Sequence, residues 1–517
     1  MSRAFNSCIR LPLQKCRKIS NAQPAAHLSR TYDIQSLAPL MTTTQSLSVE
    51  RVIRQNMDWT APESRFRTSM KSSLGILAYA YVFPPDAGSG TYRTLHFVNR
   101  WARRGDSVTV ITVRLEDFSA TATVDHDLCR SVEPQIRVVR ARAFRPLQAL
   151  IKLRNRGVRN RAGAYPASAL KAVNSPSERT GLLGRGRRAI AAVIEFAFGF
   201  PDEHSGWIPS AVRLGMRLSK TQAFDCIYAS GGPWSTLLAA TITHKLTGLP
   251  LILDFRDPWA SNPNYQKRSP ALRRLHARVE SYCVAAARRI ILNTESLRED
   301  FVLRYPHIDL DRFICITNGF EEIPSTEPED SGKLTIVHAG TLYLSRNPGR
   351  FLQALLELIE ANHIPPDDIR VRFIGGMAQD PHLDRIIARL GEVVEILPRL
   401  PHAEALRHQQ RASALLLFQA GLPLQVPRKL YEYFALGRAI VAITDAGSAT
   451  DRILRDVGAS YVSEDDVTGI KEVLLRLYSD WNAGQPVLMD QERLQNYSNR
   501  RLAERLRSEL SAALEAS

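Results

Sequence analysis

Cysteine is scarce in this chain of 517 residues: six, at positions 8, 16, 129, 226, 283 and 315, with no Cys-x-x-Cys pair. That scatter argues against a zinc module or a disulfide framework and fits reduced, mostly buried thiols in a cytoplasmic protein. No apolar run reaches the roughly 18 to 20 residues that a membrane-spanning helix needs. The closest, 189–200, is shorter and carries Glu195. Gly-x-Gly-x-x-Gly is missing, which argues against a nicotinamide cofactor. Acidic residues are outnumbered, 52 against 68 Lys and Arg, for a net charge of +16. Such an excess implies an anionic partner, whether nucleic acid, a membrane surface or a phosphorylated substrate, and charge alone does not choose among them.

What is present is the composition of a soluble globular protein, 44% hydrophobic and 23% charged. The length calls for two or three domains. Residues 1–70 lack sustained periodicity, and Asp33 is the first acidic residue, after six basic ones. This reads as a disordered extension or a start assigned too early, with a targeting peptide as the alternative. Met70 directly precedes the first convincing strand.

From there the chain alternates. A strand at 75–81 is followed by the loop Phe83-Pro-Pro-Asp-Ala-Gly-Ser-Gly90, a helix over 91–104 and a strand at 107–112. That is the opening of a doubly wound parallel sheet, with the loop at the carboxyl end of the first strand. Gly88 and Gly90 let backbone approach a phosphate or sugar closely, although a tight turn explains them equally well. Strands at 225–229 and 250–255 end in Ser230-Gly-Gly-Pro233 and Arg256-Asp257-Pro258-Trp259, loops expected to line the same crevice. Asp254, Arg256 and Asp257 are the densest polar cluster after any strand; a charge pair anchoring the loop is the bland alternative. Strands at 289–293 and 313–317 close this half, and 323–333, rich in Pro, Ser and acidic residues, reads as a linker. The same pattern then restarts with strands at 334–339, 371–374, 393–397, 414–418 and 440–444, and basic amphipathic helices at 467–481 and about 491–514.

One insertion interrupts the order. Between Arg145 and Ile194 stand eleven basic residues and one acidic, Glu178, and the apolar stretch 189–200 follows. Cations beside an apolar stripe suit an anionic bilayer, at about 1 kcal/mol per cation near the lipid. A solvated surface insertion is the alternative, and nucleic acid is disfavoured because aromatics do not interleave with the cations.

The stretch with the most chemistry is Val-Pro-Arg-Lys-Leu-Tyr-Glu-Tyr-Phe-Ala-Leu-Gly-Arg-Ala-Ile-Val-Ala-Ile, residues 426–443. Pro427 suits a helix start and Gly437 its left-handed stop. Spacing three apart puts Lys429 and Glu432 on one helix face, with Arg428 as a second cation at the same end. Free backbone N–H groups and two cations can hold a pyrophosphate, while a carboxylate one turn on can accept from ribose hydroxyls. A surface ion pair on an ordinary amphipathic helix is the competing account.

This stretch resembles the donor-site helix and following strand of the family 4 glycosyltransferases, and the likeness extends from about residue 74 to about 514. The resemblance implies an α/β protein of the GT-B fold: two Rossmann-like doubly wound parallel-sheet domains facing a cleft. The expected parts are an acceptor domain at 71–322 with the basic insertion at about 145–200, a linker at 323–333, a nucleotide-sugar domain at 334–490, and a helix over 491–517 crossing back to the first domain. It further implies a retaining, metal-independent, hexosyltransferase-like enzyme with a nucleotide-diphosphate sugar as donor substrate and no cofactor. Arg346, Arg428 and Lys429 would neutralise the leaving diphosphate, Glu432 would meet the ribose, and Gly340, Thr341 and Gly375 would let backbone approach the donor. Gly88, Gly90, Ser230 and Arg256 complete the expected substrate-binding set, and Asp257 is the candidate polar group near the acceptor. Acceptors would be lipid-linked or polysaccharide hydroxyls in cell-surface glycan synthesis, lipopolysaccharide included. The protein is placed in the cytoplasm or peripherally at the inner face of the plasma membrane.

Two departures stand out. Many family members have a second Glu eight positions before the ribose Glu, where this chain has Leu424; Gln425 is the neutral substitute beside it. A histidine often follows the strand equivalent to 225–229, where this chain has Ser230-Gly-Gly-Pro233, and His96 and His338 read as packed or surface residues. A catalytically silent scaffold that binds membrane or a partner enzyme therefore stays open beside the transferase, and a sugar-nucleotide epimerase behind both.

Overall fold

The computed structural model describes residues 73–118, 123–144, 200–263, 269–321, 332–342, 347–377, 380–459, 461–485 and 489–515. The N-terminal extension, the basic insertion, most of the linker and Arg346 lie outside the described residues. Residues 71–517 make one compact unit built on two sheets.

Seven strands form the first sheet: β1 (Gly75–Tyr79), β2 (Ser107–Val113), β3 (Arg137–Ala141), β4 (Cys226–Gly231), β5 (Leu251–Phe255), β6 (Arg289–Leu292) and β7 (Phe313–Cys315). All pair in parallel, in the order β3-β2-β1-β4-β5-β6-β7. The order reverses between β1 and β4, which opens a crevice at their carboxyl ends. Its helices are α1 (Ser89–Arg103), α2 (Ile208–Thr221), α3 (Trp234–Thr247), α4 (Pro270–Ala286) and α5 (Glu295–Arg304). Both faces are covered, so the strands read as nearly continuous apolar runs. Alternate residues of β1 serve opposite faces. Leu77 and Tyr79 join a cluster with Trp207, Trp234 and Trp259, while Ile76 and Ala78 join one with Phe97 and Trp101.

The second sheet repeats this plan with β8 (Leu334–Ala339), β9 (Ile369–Ile374), β10 (Val394–Leu397), β11 (Ala414–Gln419), β12 (Ala439–Thr444) and β13 (Tyr461–Ser463). Their order, β10-β9-β8-β11-β12-β13, is again parallel throughout and again reverses beside its first strand. The flanking helices are α6 (Gly349–Glu360), α7 (Pro381–Leu390), α8 (His402–Gln410), α9 (Arg428–Leu436), α10 (Ala449–Asp456) and α11 (Val467–Asn482).

The chain then returns to the first half. Where sequence periodicity suggests one helix over 491–514, there are two, α12 (Gln491–Gln495) and α13 (Asn499–Glu515). The break has a backbone cause: Phe320 donates its N–H to Tyr497 O at 3.1 Å and Asn499 donates to Phe320 O at 2.9 Å, so residues 497–499 pair with the segment leaving the first half. Leu502, Leu506 and Leu510 of α13 complete the cluster around Trp101. Two edge strands, β3 and β13, have no counterpart among the sequence-predicted ones. β3 has only two valines between arginines, and β13 is three residues long.

Candidate active site at the cleft between the two sheets

The back wall is built from the ends of β8 and β9 and the start of α9. Gly340 N–H donates to Ile374 O at 2.8 Å, and Leu342 N–H to Gly376 O at 2.8 Å, which lays the two loops side by side. At Gly375, where φ is +129°, an added Cβ would stand 2.5 Å from Gly340 O, so the close approach requires glycine. Thr341 lies exposed on the same loop, its methyl beside Gly376. A Cβ at Gly340 would be 3.9 Å from Lys429 Cε, which places the ammonium stem against this loop.

Helix α9 begins after Pro427 with no side-chain cap and stops at Gly437, whose φ of +62° is left-handed. Its first N–H groups are therefore open to an anion. Lys429 Nζ meets Glu432 Oε2 at 2.9 Å and Arg428 Nη2 meets Oε1 at 3.4 Å. Partial burial pushes the Glu432 carboxyl upward, but Lys429 and Arg428, with His402 beyond, outweigh it and hold it below the ordinary glutamate range. The carboxylate stays ionised and able to accept hydrogen bonds. On their other side, Leu430, Tyr431, Tyr433 and Phe434 anchor the helix in the core, the Tyr433 hydroxyl donating to Leu416 O at 3.1 Å.

The front wall comes from the carboxyl ends of β1, β4 and β5. Gly88 N–H donates to Asp86 Oδ1 at 2.7 Å and sets up the start of α1. A Cβ at Gly90 would overlap the Arg256 guanidinium, which lies against the first turn of α1. Arg256 Nε donates to Gly231 O at 2.8 Å and Nη2 to Gly232 O, so its partners are carbonyl oxygens. Burial lowers its pKa, which makes it a cation short of compensating charge. Asp257 is raised by burial, against the pull of Arg256, Gln425 and Arg93.

Ser230 sits beneath this surface, its hydroxyl donating to Asp254 Oδ2 at 2.9 Å. Asp254 is fully buried and also accepts from Tyr228 at 2.7 Å and from Arg93 at 2.9 Å. Arg93 reaches on to the carbonyls of Ile316, at 2.7 Å, and Thr317, at 2.6 Å. Asp254 thus anchors the loop floor from inside, while Arg256 and Asp257 top the same strand.

Two contacts close the walls on each other. The Arg428 guanidinium stands 3.6 Å from the centre of the Tyr92 ring on α1. Gln425 Nε2 donates to Asp257 Oδ1 at 2.8 Å. Gly340, Gly375, Arg428, Lys429 and Glu432 therefore meet on one wall, and Gly90, Arg256 and Asp257 on the other. Tyr92 and Arg93 escaped sequence reasoning because they look like ordinary members of an amphipathic helix; their only signal is adjacency to the Gly88–Gly90 loop. His96 pairs with Glu321 at 2.9 Å, and His338 is buried with Nδ1 at 2.9 Å from Leu416 O.

Residues 333–480 match the family described as Glycosyl transferases group 1, so the chain contains a group 1, family 4 glycosyltransferase domain. Around that domain the chain as a whole has the GT-B fold. HepE of Anabaena in complex with UDP superposes with a TM-score of 0.53 at 13% identity, covering 85% of this chain and 100% of that one. Sucrose-phosphate synthase of Thermosynechococcus elongatus gives 0.54 at 13%, covering 86% and 100%. The UDP-forming α,α-trehalose-phosphate synthase of Burkholderia vietnamiensis gives 0.52 at 11%, covering 85% and 100%. At these identities the superpositions establish the fold. No curated protein matches the chain in sequence.

Proposed function

We propose that the protein moves a sugar, with retention, from a nucleotide diphosphate to a hydroxyl of a lipid-linked or polysaccharide acceptor in cell-surface glycan synthesis. The observation that supports this most is the cationic, uncapped start of α9 beside the Gly340–Gly375 backbone, turned toward Tyr92 and Gly90 of the other half. In this reading Arg428 and Lys429, with Arg346, neutralise the departing diphosphate, and Glu432 takes the ribose hydroxyls. Gly340, Thr341, Gly375, Gly88 and Gly90 admit backbone close to the donor. Arg256 adds a cation from the front wall above Ser230, and Asp257 faces the acceptor hydroxyl. The front half, 71–322, then serves as acceptor domain and 334–490 as donor domain.

HepE was solved with UDP and with UDP-glucose, which makes uridine donors the first to try. Isothermal titration with UDP-, GDP- and TDP-sugars tests the reading. One of them binds the wild type, and Glu432→Ala and Lys429→Ala each lose that binding. One observation favours the silent scaffold instead: Leu424 and Gln425, at the place of the family's second glutamate, are turned to the front half. That reading requires every titration to be flat.

The basic insertion at about 145–200 is assigned to an anionic membrane surface at the cytoplasmic face. Among the described residues no helix is long and apolar enough to cross a membrane. Flotation with anionic vesicles is expected for the full chain and to be lost on deletion of residues 150–190; equal flotation of the two proteins rules the assignment out.

A further inference from the structure

Three contacts join the segment before α9 to the front half. The Leu424 side chain packs on the apolar cluster that contains Trp234, Phe255 and Trp259. Its carbonyl accepts from Thr294 Oγ1 at 2.8 Å. The next residue, Gln425, donates Nε2 to Asp257 Oδ1 at 2.8 Å. Meanwhile the Gln425 carbonyl accepts from Thr450 Oγ1 at 3.2 Å, so its backbone remains tied to the back half while its side chain reaches across.

A neutral amide is what this contact calls for. A carboxylate at the same place would repel Asp257, and a cation would compete with Arg256 for it. With Leu424 seated and its carbonyl held by Thr294, the Gln425 side chain has a fixed base from which to meet the carboxylate.

From this juxtaposition we propose that Gln425 is a positioning residue, which holds the Asp257 carboxylate in one orientation in the closed cleft and couples the acceptor face to the helix gripping the donor phosphates. The inference rests on the glycosyltransferase reading of this cleft. Orientation matters because a displacement of about 1 Å at a reacting centre can cost on the order of 100-fold in rate. The charged groups acting on Asp257 are Arg256, beside it in the chain, and Arg93 on α1. Both favour its ionised form, as the Gln425 amide does, and burial opposes all three and prevails. Taking the amide away removes one of those stabilisers, so the carboxyl protonates at still higher pH.

The test uses the full chain with Gln425→Ala and the similarly shaped Gln425→Met, which guards against a loss of packing. Asp257→Asn identifies the Asp257 carboxyl band in infrared difference spectra, and the pH titration of that band is compared across variants. The midpoint is expected to rise in both Gln425 variants; an unchanged midpoint overturns the proposal. Turnover is followed as UDP released from UDP-glucose, or as the nucleotide of whichever sugar donor the wild type binds. Gln425→Met should lower kcat about 10- to 100-fold with the donor KM within about twofold. Combined with Asp257→Asn it should be no slower than Asp257→Asn alone; losses that multiply contradict the proposal. The infrared titration needs no donor. Flat binding curves for the wild type would therefore remove the transferase reading while leaving the Gln425–Asp257 measurement decisive for its own claim.

Discussion

Arg93 and Asp254 form the most completely buried charge pair of the front wall, with side-chain exposures of 3% and 0%. Tyr228, Ser230 and the carbonyls of Ile316 and Thr317 satisfy what the pair leaves over. Removing one partner strands the other charge in the core. Arg93→Met is therefore expected to lose about 3–5 kcal/mol in urea denaturation, and Arg93→Met with Asp254→Leu less than the sum of the single changes. Glu432 gives a pH-dependent counterpart. Its folded-state pKa is held below the ordinary 4.5, so its contribution to stability is fully present above that value and is lost as the pH falls through the lowered one. Glu432→Gln should show the wild-type advantage at neutral pH and progressively less of it below 4.5 in denaturation series run at several pH values.

Among the elements, the paired loops after β8 and β9 are sensitive to a single atom. A methyl at Gly375 meets the Gly340 carbonyl in a backbone conformation that side chains rarely adopt. Gly375→Ala is expected to cost about 1–3 kcal/mol in thermal or urea unfolding and to weaken nucleotide affinity in the same protein. Gly437→Ala makes the useful contrast. Its left-handed φ is strained for alanine, but the space around it is open, so the loss should be near 1 kcal/mol and mainly in stability. Much of this element-level plan was legible in the sequence, because proline before and glycine after a 3.6-residue periodicity mark a helix locally. The helix break at residues 496–498 was not legible, since its cause is a pairing with Phe320, far away in the chain.

For the whole molecule, the last helix is what joins the second half back to the first. Arg507, 1% exposed, is paired with buried Asp106 at 3.0 Å, and Trp101 Nε1 donates to Ala503 O at 3.2 Å. Arg100 with Glu504, at 2.9 Å, and Arg289 with Glu509, at 3.3 Å, frame the same helix. Arg507→Ala leaves Asp106 without its charge partner in the core and should cost about 3–5 kcal/mol of unfolding free energy. Ending the chain at residue 498 uncovers the apolar cluster around Trp101, and the truncated protein is expected to bind a hydrophobic dye and to be cut faster by protease in its first half.

By itself the sequence determined the alternation of strand and helix, the restart after the acidic linker, and a helix start at which two cations and a carboxylate share a face. All of these follow from spacing within a few residues, where backbone periodicity dictates which side chains are neighbours. Only the tertiary structure decided what each polar group does with its neighbours. Ser230 lies under the site because Asp254 needs a donor, Gly90 makes room for Arg256, and Asp257 meets Gln425 from 168 residues away. Such pairings depend on how two sheets and a returning helix exclude water together, and no local spacing encodes that.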